Sequence, residues 1–280
     1  MEEKCKEIGA ELIIADSLGD PNEQVNIAQQ FATKGVDCII LSPVDPSACG
    51  AIIDIASAAG IPVITESDEV EGALTLVGAD TYQAGLEIGE WIGNYLIEND
   101  IVGEVLIVGL PGLPNIANLE RGFKEGMSST GATYNIVAET DGQGMMEISM
   151  QVAMDALTAN PDINVIFGIN DDSVLGGIQA YKTLGRDISK LTTGTFALEG
   201  NAGARAMIEE GSYTMAMAYM PEYYGFKMIE AAEKAARGET LPLFYPSPVR
   251  IVTKDNFFDF YSKVGDDYVL NIEAVAALDK

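Results

Sequence analysis

The chain contains no histidine. That removes the side chain best suited to general-base work near neutral pH, the usual zinc ligand, and the base of Ser/His and Cys/His nucleophilic sites. Basic residues are scarce: 16 Lys and Arg stand against 43 Asp and Glu, for a net charge of -27. Such a chain repels nucleic acid and anionic membrane surfaces at long range. The only cysteines are Cys5, Cys38 and Cys49, without C-x-x-C spacing. Cys38 is expected in a strand and Cys49 in the following helix, both as small core residues. No apolar run reaches the ~18 residues of a membrane helix. The opening MEEKCKEIG lacks the apolar stretch of a signal peptide.

Catalytic signatures are missing too. GLPGLP (109–114) is glycine-rich but is not G-x-G-x-x-G, and it lacks the Lys-Ser/Thr ending of a P-loop. Pro111 and Pro114 remove backbone donors that a phosphate cradle needs. There is no G-x-S-x-G elbow. Asp171 and Asp172 are adjacent, so a helix would splay them apart. The sequence therefore predicts no enzyme, no metal site and no cofactor.

What is present is a chain of 280 residues, 48% hydrophobic, long enough for two lobes with separate cores. Strand and helix patterns alternate. ELIIAD (11–16) reads as a strand and 21–34 as a helix between Asp20 and Gly35. VDCIILS (36–42) is a nearly continuous apolar run, the pattern of a strand covered on both faces. A helix over 46–59, strands IPVIT (61–65) and LTLVG (74–78), and a long helix over 81–99 follow. The pattern restarts with EVLIVG (104–109), a helix over 116–129, YNIVAE (134–139) and a helix over 145–159. Beyond 185 come TTGTFA (192–197), a helix over 201–210, YTMAMAYM (213–220), a helix over 222–237, VRIVT (249–253) and a short aromatic helix over 256–261. Helices between strands imply right-handed crossovers and parallel sheets, and two such runs imply two Rossmann-like α/β lobes.

The stretch 161–185, PDINVIFGINDDSVLGGIQAYKTLG, is the most informative. NVIFG is a short strand; Asn170, Asp171 and Asp172 suit a turn or helix N-cap; Val174, Ile178 and Tyr181 recur at helical spacing up to Gly185. Ligands of open parallel sheets bind beyond the carboxyl ends of strands, where Asn170 falls. Its amide both donates and accepts, which suits a hydroxyl-rich neutral ligand. Capping the helix is the competing use. Tyr219, at another strand end, offers an aromatic face to a sugar ring.

An ordered set of stretches resembles type I periplasmic binding proteins of the ribose-binding branch, the receptors of ATP-driven sugar importers. They are GAELIIADSLGDPNEQ (9–24), GVDCIILSPVD (35–45), AAGIPVIT (58–65), VGADTYQAG (77–85), RGFKEGM (121–127), NPDINVIFGINDDSVLGGIQA (160–180) and GETLPLFYPSPVRIVTKDN (238–256). The resemblance implies two lobes joined by three hinge crossings, near 101–103, 219–221 and 247–249. The lobes would be 1–102 with 220–248, and 103–219 with 249–280. It implies a monosaccharide or polyol contacted by Ser42, Ser67, Asp68, Asn170, Glu199 and Tyr219, a membrane permease of an ABC transporter as partner, a monomer, and a periplasmic or extracellular place, a lipoprotein anchor included. Asp80 matches the family pattern and is expected to cap the 81–99 helix.

The departures from the family pattern are specific. The family opens with a central strand and an aromatic loop, and this sequence starts after them, which reads as an N-terminal truncation. Leu119 stands where an arginine is common, with Arg121 just before Gly122. Glu66, Ser67 and Asp68 replace an Asp-Arg pair, Glu199 matches an Asp, and Gly144 falls near a stacking aromatic. The alternative reading is the effector domain of a lactose-repressor-type regulator, which shares the fold.

Overall fold

The structure, a computed structural model, describes residues 1–198 and 201–279. The chain divides into two compact units, one of residues 1–79, 222–247 and 279, the other of 80–221 and 248–278. The first opens with α1 (Glu2–Ile8), α2 (Pro21–Lys34), β1 (Ile39–Leu41), α3 (Gly50–Ala58), β2 (Val63–Glu66) and β3 (Thr75–Gly78). The second runs through α4 (Thr81–Glu98), β4 (Gly103–Gly109), α5 (Pro114–Thr130), β5 (Tyr134–Asp141), α6 (Met146–Ala159), β6 (Val165–Gly168), α7 (Asp171–Thr183), β7 (Thr192–Ala197), α8 (Ala202–Glu210) and β8 (Met215–Ala218). The chain returns to the first unit for α9 (Pro221–Ala236) and β9 (Phe244–Pro246). It ends in the second with β10 (Arg250–Thr253), α10 (Phe257–Phe260), β11 (Tyr261–Val264), β12 (Asp267–Leu270) and α11 (Ile272–Ala276).

The first sheet has the order β1-β2-β3-β9 and is parallel throughout. The second has the order β10-β8-β7-β6-β4-β5, parallel except that β10 runs against β8. The local signals explain the elements. Asp20 accepts from the Asn22 amide, Pro21 opens α2, and Gly35 closes it in the left-handed region. Val105 to Val108 of β4 are buried on both faces, which accounts for the unbroken apolar run. In the first core Ile39, Leu41 and Val63 meet Ala28, Ile52 and Ala56. In the second, Ile88, Ile92 and Leu96 of α4 lie over Val105, Ile107, Val165 and Phe167. Phe123 stacks on Phe167 with ring centroids 4.1 Å apart.

Four expectations need correction or extension. The first crossing falls at Ala79/Asp80, not near 101–103, because α4 packs with the second unit. The reason lies in glycines spaced four apart. At Gly85, Gly89, Gly122 and Gly126 a methyl group would overlap main-chain oxygens of the opposing helix, so α4 and α5 touch backbone to backbone. Second, ELIIAD (11–16) forms no strand. It pairs with no strand, and among the described residues β1 pairs with β2 alone and leaves its far edge open. Third, the residues just before the crossing expected near 247–249 form a strand, β9, paired with β3. Fourth, Cys38 lies just before β1 and is half-buried, whereas Cys49 is buried at the start of α3. The β11–β12 hairpin was not foreseen.

In the first unit the Tyr224 hydroxyl on α9 donates to the Val77 carbonyl of β3 at 2.7 Å. The ring is 3% exposed. Tyr224→Phe should therefore cost about 1 kcal/mol, read as a lower urea midpoint with an unchanged slope. An unchanged midpoint would show that this bond does not hold α9 to the sheet.

Candidate functional site

Parallel strands turn their carboxyl ends to one edge of each sheet, and both edges are specialised. Ser67, Gln143, Leu198 and Met220 have φ of 65, 53, 61 and 55. They stand one or two residues past the ends of β2, β5, β7 and β8. Non-glycine residues in this region carry strain of order 1–3 kcal/mol each, which functional edges commonly store.

At the edge of the first sheet, Ser42 follows β1 and Ser67 follows β2. The register Leu41↔Thr65 brings Ser42 level with Glu66, with Ser67 one residue further on. Glu66 joins them: the Ser42 hydroxyl donates to its Oε1, and the Ser67 hydroxyl to its Oε2 at 3.1 Å. Gln24 holds the loop from below, donating to the Ser42 carbonyl at 2.6 Å and accepting from the Val44 amide at 3.0 Å. Burial, then the Glu66 charge, raises the Asp68 carboxyl above the ordinary range.

A raised carboxyl pKa means that the folded state binds the proton more tightly than the unfolded one. Ionised Asp68 thus detracts from stability at neutral pH, and the loss fades as pH falls through the raised value. Asp68→Asn should melt higher than wild type at pH 7, with the gap closing toward the ordinary carboxylate range. Parallel melting curves against pH would show it; a gap that is constant or widens on acidification would refute this origin.

At the edge of the second sheet, Asn170 follows β6 and caps α7. Its Oδ1 accepts from the Ser173 amide at 2.9 Å, and its Nδ2 donates to the Gly144 carbonyl at 3.1 Å. One Nδ2 hydrogen is left for a ligand. Asp171 is buried and Asp172 half-buried. Tyr219 follows β8, its amide bonded to the Ala197 carbonyl at 2.8 Å and its ring edge-on to Phe196 at 5.7 Å. Glu199 lies outside the described residues. Leu119 is fully buried and faces α4 instead of the edge. Arg121 lies over the Tyr82 ring, 4.6 Å from its centroid. Asp80 caps α4 by accepting from the Gln83 amide at 2.9 Å.

The structure thus groups Ser42, Ser67 and Asp68 on one edge and Asn170 and Tyr219 on the other, each within its own unit. Sequence reasoning left Glu66, Gln24 and the Gly144 carbonyl out of the site. The loops after β1, β2, β4, β5, β6, β7, β8 and β9 contain no Lys or Arg. Among the described residues no cluster of His, Cys, Asp and Glu could hold a metal ion.

Two α/β units, each with hydrogen-bonding side chains at the carboxyl ends of its parallel strands, have the layout in which open sheets bind ligands. The chain belongs to the family described as Periplasmic binding protein domain, whose profile matches residues 1–240; these are substrate-binding proteins, not enzymes. It is 27% identical over 256 residues to the ribose import binding protein RbsB of Bacillus subtilis, covering 91% of this chain and 81% of that one. Among solved structures it resembles an ABC transporter periplasmic solute binding protein from Actinobacillus succinogenes with bound D-allose. There the TM-score is 0.83, with 24% identity and 92% of each chain covered. An ABC transporter solute binding protein from Mycobacterium smegmatis with bound glycerol gives a TM-score of 0.82, with 27% identity, 94% of this chain and 90% of that one.

Proposed function

We propose that the protein is the extracytoplasmic solute-binding component of an ABC-type importer, taking one neutral monosaccharide or polyol and delivering it to a membrane permease. The observation that carries this reading is the make-up of the strand-end loops: hydroxyl, amide and carboxylate groups, and no cation. Carboxylates accept charge-assisted bonds from sugar hydroxyls, and the remaining Nδ2 hydrogen of Asn170 donates to a sugar oxygen. A sugar acid or phosphate would be buried without compensation. Ser42, Ser67 and Asp68 would contact the ligand from the first unit, and Asn170, Glu199 and Tyr219 from the second. Related proteins import ribose or hold D-allose and glycerol, which supports the same class. An amino-bearing compound is the second choice. Crossings at 79/80, 221/222 and 247/248 would act as hinges on which the units close over the ligand.

The family supports an extracytoplasmic place, and no helix among the described residues is long and apolar enough to cross a membrane. We take the working form to be a monomer. A repressor-type effector role is not favoured, since the net charge of -27 opposes DNA. A thermal-shift and calorimetry panel of neutral sugars, polyols, amines and sugar acids tests the reading. Stabilisation by a neutral sugar or polyol is expected; a sugar acid as the tightest binder, or binding of none, would overturn it.

A further inference from the structure

The loops after β4 and β5 leave side by side, since Gly109 pairs with Asp141 and the Gly142 amide donates to the Gly109 carbonyl at 2.9 Å. Both end in apolar residues that the fold leaves uncovered: Leu113 is 44% exposed, Met145 55% and Met146 41%. Leu113 and Met145 also occupy the N-cap positions of α5 and α6. Their backbones are extended, as an N-cap requires (φ -99, ψ 125 and φ -114, ψ 131), yet neither can make a side-chain cap bond. Asp20, Asp80, Asn170 and Asn201 all make that bond at the starts of α2, α4, α7 and α8. At the starts of α5 and α6, apolar side chains thus stand at the edge that carries Asn170, in positions where a capping residue would add stability. The patch is continuous with the candidate site, because Asn170 Nδ2 is bonded to Gly144, the residue before Met145.

We infer that Met145, with Leu113 and Met146, selects a ligand whose face toward the second sheet bears a methyl or bare methylene where common sugars bear a hydroxyl: a deoxy sugar or deoxy polyol. This rests on the sugar-binding reading and narrows it. A hydroxyl set against these side chains would lose its water and gain no partner, whereas a methyl gains by leaving water. The difference amounts to about tenfold or more in affinity.

The test is calorimetry on the full chain with sugar pairs that differ by one hydroxyl, D-fucose against D-galactose and L-rhamnose against L-mannose. In at least one pair the deoxy member should bind about tenfold tighter or better. Met145→Asn should abolish or reverse that preference. It should also raise the melting temperature by about 2–4 °C, as the new side chain caps α6. That rise shows that the variant folds and separates selectivity from damage. Equal or tighter binding of the hydroxylated members by wild type, or a preference that survives Met145→Asn, overturns the inference and leaves the sugar-binding reading intact. Failure of every sugar and polyol to bind overturns both.

Discussion

Gly126→Ala should lower the unfolding free energy by about 3 kcal/mol or more, a large loss for one added methyl group. The added carbon would overlap the Leu86 carbonyl oxygen and lie 2.9 Å from the Glu90 nitrogen. Both obstacles are main chain, so no rotamer change relieves them. The contact is reciprocal, since Gly85 and Gly89 press in the same way on the Leu119 and Phe123 carbonyls. Separating the helices would loosen the fully buried Ile88, Ile92 and Phe123 between them and the sheet. Gly50→Ala is the matched control. A methyl there meets nothing within 4 Å, and the change should be neutral or slightly stabilising. Urea denaturation of both variants decides the matter. A Gly126→Ala variant within about 1 kcal/mol of wild type would show that the helices can part cheaply.

Asn170 should separate into two functions under two substitutions. Asn170→Ala removes the cap of α7 and the tie to Gly144 together. It should lose about 1–2 kcal/mol of stability and about 1–3 kcal/mol of binding free energy. Asn170→Asp can still accept from the Ser173 amide, and its charge suits a helix N-terminus. It cannot donate, however, so it loses the Gly144 bond and any bond to a ligand acceptor, and it adds charge beside Asp171. Its melting temperature should stay closer to wild type than that of the Ala variant, while its affinity falls as far or further. Asp-variant binding equal to wild type would mean that the amide donor is idle. An Ala variant with unchanged melting would mean that the cap is.

Much of the architecture could be read from residue pattern because the strands are short, apolar and bounded by turn residues. The β4 run and the Asn170–Gly185 stretch are clear cases. The allegiance of α4 was not legible, since amphipathic spacing says that a helix has an inner face but not which sheet it covers. The signal was Gly85, Gly89, Gly122 and Gly126, whose four-residue spacing only makes sense once two helices are set face to face. ELIIAD has strand composition, yet it pairs with no strand in the structure, and nothing in its composition marks that. The positions of Ser42 and Ser67 just past β1 and β2 were legible because the strand ends were. The role of Glu66 could not, because it depends on the register of β1 against β2. Asn170 was ambiguous for a physical reason: a capping amide and a ligand-binding amide look alike in a sequence, and here its oxygen and one hydrogen are already engaged.

Among the described residues the far edge of β1 has no partner strand, and that has a colloidal consequence. A free ladder is a template on which two molecules can join, and the neighbouring segment 11–16 adds Ile14, 74% exposed. Glu11, Asp16 and Asp37 flank these stretches and act as gatekeepers, backed by mutual repulsion between molecules of charge -27. That repulsion reaches only as far as the Debye length, about 10 Å at 0.1 M salt and about 3 Å at 1 M. Ionic strength therefore sets how closely two open edges approach, so the same acidity that keeps nucleic acid away also keeps this protein dispersed, and concentrated salt removes both protections together.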